Sequence, residues 1–125
     1  MSKTRIERDS MGELNVPIEA LYGAQTQRAI NNFPISGGGL PPAFIKALIT
    51  LKSAAAKANA RLDQIPSKMA EAISSSCEQL LGDKNLMNHF PVDVYQTGSG
   101  TSSNMNANEV LANLATKAYG ETVGA

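Results

Sequence analysis

Only one cysteine, Cys77, and one histidine, His89, occur in the 125 residues. A single cysteine excludes an internal disulfide framework. A lone histidine has no partner at zinc-ligand spacing, and neither Asp83 nor Asp93 forms a ligand motif with it. Excess charge of either sign is also missing. Eleven Lys and Arg balance eleven Asp and Glu, which argues against a nucleic-acid partner or an anionic membrane surface. The first nine residues are charged and polar rather than an apolar leader, and no apolar run reaches membrane-spanning length. There is no Walker loop, no Gly-x-Gly-x-x-Gly, no His-Glu-x-x-His, no Gly-x-Ser-x-Gly elbow and no internal repeat. One soluble, cytoplasmic domain is the expectation from these absences together with the length.

What is present is a helical pattern. Residues 1–16 alternate loosely and predict two short extended segments around a turn at Gly12. Ile18 to Tyr22 fits a single helical turn after Pro17. The polar run Tyr22 to Ile30 reads as a solvated loop on spacing alone, and Phe33-Pro34 with Gly37-Gly38-Gly39 extends loop over 31–42. Pro41-Pro42 then opens a helix over 42–61, with Phe44, Leu48, Leu51, Ala55 and Ala58 as its apolar stripe and Ile45 and Ile49 widening it. Leu62 to Ile65 connects to a second helix over 66–81, in which Met69, Ile73, Cys77 and Leu80 share a face and Gly82 marks the end. Cys77 therefore reads as a small core residue. His89 lies in a polar connector, Asp83 to Pro91, as a structural or solvent-facing side chain. Val92, Val94 and Tyr95 form a brief extended approach to Gln96.

The stretch from Gln96 to Asn106 is the densest in chemistry. It packs two glycines, five hydroxyl residues and two asparagines into eleven positions. A third helix runs from Thr101 or Ser102 to Tyr119, stopped by Gly120, with Met105, Leu111, Leu114 and Ala118 in phase. The first amides of a helix have no intrahelical partner and carry positive potential, so a hydroxyl-rich, glycine-bent loop feeding them suits a small anion. A plain helix cap accounts for the same composition equally well. The fold class expected is mainly α, with an extended N-terminal element.

Gln96-Thr97-Gly98-Ser99-Gly100-Thr101-Ser102-Ser103-Asn104-Met105-Asn106 and Asn108-Glu109-Val110-Leu111-Ala112-Asn113 resemble the first conserved segment of class II fumarases. Tyr22-Gly23-Ala24-Gln25-Thr26-Gln27-Arg28 is similar to that family's N-terminal motif, and Phe90-Pro91 precedes the loop as it does there. Aspartate ammonia-lyases share the architecture, but Ala24-Gln25 and Ser99 favour the fumarases. The resemblance covers the whole chain and implies the helical N-terminal domain of the fumarase/aspartase fold over 1–125. A long central helix bundle, a C-terminal domain and a homotetramer would belong to the full-length enzyme. The later His-Pro-Asn-Asp and Ser-Ser-Asn segments, and the Gly-Ser-Ser loop whose serine is thought to act as base, are not in this sequence, so a fragment of a longer protein is expected.

By the same resemblance the activity is reversible hydration of fumarate to L-malate without a metal or organic cofactor. Ser99, Gly100 and Thr101 would contact the dicarboxylate and Asn104 would support them. No catalytic base is expected here, and the isolated chain should be inactive. For Gln25, Thr26 and Arg28, packing near the site entrance or against a neighbouring domain is expected ahead of substrate contact. Two rival readings stand beside this one: an aspartate ammonia-lyase, and a non-catalytic module whose exposed helix faces bind partner helices.

Overall fold

A computed structural model describes residues 3–125. It begins with an antiparallel hairpin, β1 (Thr4–Asp9) and β2 (Gly12–Pro17), registered from Thr4 opposite Pro17 to Asp9 opposite Gly12. Four helices follow: α1 (Ala24–Asn32), α2 (Pro42–Arg61), α3 (Ser67–Leu81) and α4 (Thr101–Tyr119), with a short 3-10 turn at Leu86–His89 before the last. The two extended segments and the three longer helices stand where the sequence places them, while residues 1 and 2 of the expected N-terminal segment lie outside the described residues.

Helices α2 and α3 start without a capping hydrogen bond from a side chain. Pro41 and Pro66 hold the N-cap positions of α2 and α3, where the proline ring presets the backbone and no amide is lost. Gly82 ends α3 in a right-handed conformation (φ −90°), and Gly120 ends α4 in a left-handed one. The core joins all the layers. Ile45 and Ile49 of α2, Cys77 and Leu80 of α3, and Ala107, Val110, Leu111 and Leu114 of α4 meet Val16 of β2, Tyr22, Leu86 and Phe90. A satellite of Ala72, Ala115 and Val123 closes the far end. Burial pushes the Cys77 thiol up to about 11, so at neutral pH it is a protonated, inert core group.

Three expectations fail, each for a physical reason. Tyr22 to Ile30 is not a solvated loop: Ala24 opens α1, and Ala24, Thr26 and Ala29 are buried. Ile18 to Tyr22 makes no helical turn. Arg5 reaches across from β1 and donates to the carbonyls of Pro17 (2.8 Å), Ile18 (3.1 Å), Ala20 (2.8 Å) and Tyr22 (2.7 Å), satisfying that segment in an open path. On α2 the buried face is Ile45, Ile49 and Ala56, while Phe44 is 51% and Leu51 63% exposed. The helix is apolar on two sides, and α3 and α4 cover only one of them.

Candidate functional site

The hydroxyl-rich loop stands at the head of α4. Gly100 is the N-cap residue with φ +78°, a left-handed conformation that L side chains rarely adopt. No side chain caps the helix from that position, and its first turn carries no acidic residue. Instead Gln96 reaches forward: its Oε1 accepts from the Ser103 amide at 2.9 Å and from Ser103 Oγ at 2.8 Å. Thr97 Oγ1 lies 3.4 Å from Ser102 Oγ. Ser99 Oγ and Thr101 Oγ1 share a hydrogen bond of 2.9 Å, and both residues, with Gly100, are exposed. The loop thus brings Ser99, Gly100 and Thr101 together at an open helix start, with Asn104 one turn further on and its amide bonded to Gly100 O at 3.1 Å.

The rest of α4 holds the surrounding chain in place. At every third or fourth position a polar side chain bonds to a group from an earlier part of the chain. Ser103 meets Gln96, Asn106 Nδ2 donates to His89 O at 2.8 Å, and Asn113 Nδ2 donates to Leu21 O. Glu109 anchors the start of α1. Its carboxylate accepts from the Gln25 amide (3.0 Å), the Thr26 amide (2.8 Å) and Thr26 Oγ1 (2.6 Å). An acid at a helix N-terminus also meets the favourable end of its dipole. This approach explains Gly23, where a Cβ would come within 2.7 Å of Glu109 Oε2.

Arg28 is committed elsewhere. Its Nε and Nη2 pair with both carboxylate oxygens of Asp9 at 2.7 and 2.8 Å, and Nη2 also donates to Gly12 O at 3.0 Å. A two-stranded hairpin is marginal alone, and this fork fastens it to α1. Arg28, Thr97 and Ser102 border a cleft of about 310 Å³ beside the loop, but the guanidinium faces Asp9. Gln25 and Thr26 serve Glu109 through their amides. The Arg28 guanidinium and the Gln25 and Thr26 amides are thus engaged in holding α1 to β1 and to α4. His89 is structural too, half-buried with Nε2 3.2 Å from Asp83 Oδ2.

Two further residues carry no signal in the sequence. Lys52 of α2 donates from Nζ to Asn104 Oδ1 at 2.5 Å, and no local pattern announces a partner 52 residues away. The second is Asp93. It is 6% exposed and accepts from the Tyr95 amide (2.8 Å), the Ser36 amide (2.7 Å), the Gly37 amide (2.9 Å) and Ser36 Oγ, tying the glycine loop to the approach to α4. The approach itself is a single bridge, Gly39 opposite Asp93, rather than a strand.

Those bonds set a pH dependence. The Arg28 fork holds the Asp9 carboxyl below the usual carboxylate range, and the Tyr95 amide, then Ser36 and Gly37, do the same for Asp93. A carboxyl lowered in the folded state contributes stability that is complete above its unfolded value, about 4, and is lost as pH falls through the folded value. Urea unfolding should give a flat midpoint from pH 8 to 5 and a falling one below about pH 4. Asp93→Asn should lower the plateau and flatten the acid limb; an unchanged acid limb in both Asp93→Asn and Asp9→Asn would refute the assignment.

Among the described residues no helix is long and apolar enough to cross a membrane, and no three His, Cys, Asp or Glu side chains gather as a metal group. A family model described as lyase matches residues 12–124. The chain is 63% identical over 123 residues to a protein named fumarate hydratase class II 2 from Pseudomonas aeruginosa, covering 98% of this chain and 27% of that one. It is 48% identical over 124 residues to an aspartate ammonia-lyase of Corynebacterium glutamicum, covering 98% and 24%. Its fold matches the crystal structure of class II fumarase from Schistosoma mansoni with a TM-score of 0.88 at 38% identity, over 98% of this chain and 26% of that one. The chain thus spans about a quarter of the length of these relatives. With its helical order, its loop and its α1 motif all accounted for on one frame, the chain belongs to this lyase family.

Proposed function

We propose that the chain is the N-terminal part of a fumarate hydratase and supplies one wall of an active site completed by sequence beyond this segment. The observation that carries this reading is the open, acid-free start of α4, where Gly100 bends the backbone and the Ser99 and Thr101 hydroxyls converge at 2.9 Å. Fumarate and malate are dianions. In this reading Ser99, Gly100 and Thr101 bind one substrate carboxylate through the Ser99 and Thr101 hydroxyls and the backbone amide of Thr101, and Asn104 supports them.

In the malate-to-fumarate direction a base takes the C3 proton and the carbon–oxygen bond to hydroxide breaks afterwards. The carbanion charge moves onto the neighbouring carboxylate, which becomes doubly charged. Donors aimed at that group bind the transition state more tightly than the ground state and so raise kcat. The base comes from outside these 125 residues. A homotetramer in the cytoplasm, acting on a small dicarboxylate, completes the reading.

The test is the ultraviolet absorbance of fumarate with the protein expressed from its complete reading frame. L-Malate should give rising absorbance, and the isolated 125-residue chain should give none. Turnover of L-aspartate with release of ammonia, and none of L-malate, would instead establish the reading favoured by the 48% identical ammonia-lyase. A natural stop codon after Ala125 would sink the fragment reading.

A further inference from the structure

We propose that Lys52 is a positioning residue that acts through Asn104, turning the Asn104 amide into a hydrogen-bond donor for the substrate carboxylate; this rests on the α4 loop being the carboxylate-binding wall. The Lys52 ammonium, half-buried in the middle of α2, donates to Asn104 Oδ1 across the interface with α4. Among the described residues no carboxylate lies within ion-pair distance of it. Burying a cation against a neutral amide is a costly way to join two helices, since Met or Leu would pack there without a desolvation penalty. The cost is visible in the lysine itself, whose pKa burial lowers.

What the ammonium provides is orientation. It has three donors and no acceptor, so only the carbonyl oxygen of Asn104 can face it. The Asn104 NH2 group is then turned away from Lys52, and among the described residues it donates to no protein acceptor. Asn104 follows Gly100 by one helical turn, to whose carbonyl its own amide is bonded at 3.1 Å. An ammonium on the carbonyl side also polarises the amide and strengthens its N–H donors. Lys52 thus aims and sharpens a donor beside Ser99, Gly100 and Thr101 while lying on a different helix.

Asn104→Asp in the full-length enzyme separates this role from that of a strut. A carboxylate there keeps its bond to Lys52 and gains an ion pair, so the thermal midpoint should hold or rise. It loses both N–H donors and places negative charge beside a dianion, so KM for malate should rise about tenfold or more, beyond the change in kcat. Lys52→Met should raise KM in the same sense, and Lys52→Arg should recover most of it. An Asn104→Asp enzyme with wild-type KM would overturn the proposal, and so would a fallen midpoint, which would mean that the amide donors are held inside the protein. Failure of the wild-type enzyme to turn over malate would be a failure of the site reading instead, seen before any variant is compared.

Discussion

Thr101→Val in the full-length protein is expected to lower kcat/KM for malate by about 10- to 100-fold with the fold intact. The size follows from a hydrogen bond to a charged group, about 1.5–3 kcal/mol, acting mainly at the transition state. The fold should survive because Thr101 does not cap α4. Gly100 holds the N-cap position without a side-chain bond, and the forward cap comes from Gln96 to Ser103. Among the described residues the Thr101 hydroxyl bonds only to Ser99 Oγ, at an exposed position, where substitutions usually change stability by less than about 0.5 kcal/mol. Thr101→Ser should retain most of the activity. Steady-state kinetics beside a melting curve decide the matter, and unchanged turnover in Thr101→Val would favour the non-catalytic helix module.

The second large effect is on stability. Glu109→Ala should cost about 3–5 kcal/mol in urea unfolding, because the Thr26 amide and hydroxyl lose their acceptor at a fully buried residue and each orphaned donor costs about 1–3 kcal/mol. That is a large share of the total stability of an ordinary domain, about 5–15 kcal/mol. Gly23→Ala should act on the same joint, since its Cβ would meet Glu109 Oε2 at 2.7 Å and displace the carboxylate. The two substitutions should therefore not add. Gly23→Ala should cost little in a Glu109→Ala background, giving a coupling energy of about 1 kcal/mol or more in the double-mutant cycle. Additive losses would mean that Gly23 is needed for some other reason.

The same joint explains why α1 is not legible in its own residues. Its Gln25, Thr26, Gln27 and Arg28 carry no apolar period, and Gly23 gives it no side-chain cap. Its start is held by a carboxylate 83 residues away, which no local window contains. By contrast, α2, α3 and α4 announce themselves through Pro41, Pro66 and Gly120. The face of α2 is ambiguous in sequence because Phe44 and Leu51 fit the helical period as well as Ile45 and Ile49 do, and only the placement of α3 and α4 chooses between them. For the site, Ser99, Gly100 and Thr101 stand out by composition and by family resemblance. Lys52 does not, because one lysine among several on α2 acquires its partner only when α4 is laid beside it. Arg28 has the chemistry of a carboxylate clamp, and it is one, for Asp9.

The bonds from α4 back to the N-terminal segment have a consequence in time. Glu109 and Asn113 reach residues 83 to 92 positions earlier in the chain. During synthesis at about 5–20 residues per second, α1 and the segment leading into it wait roughly 4–18 seconds before the groups that fix them exist. Closing so long a span adds an entropic cost that only the finished interface offsets. A nascent chain halted before Glu109 would therefore leave Gly23 to Arg28 open to proteases, while the same residues in the completed chain would be shielded.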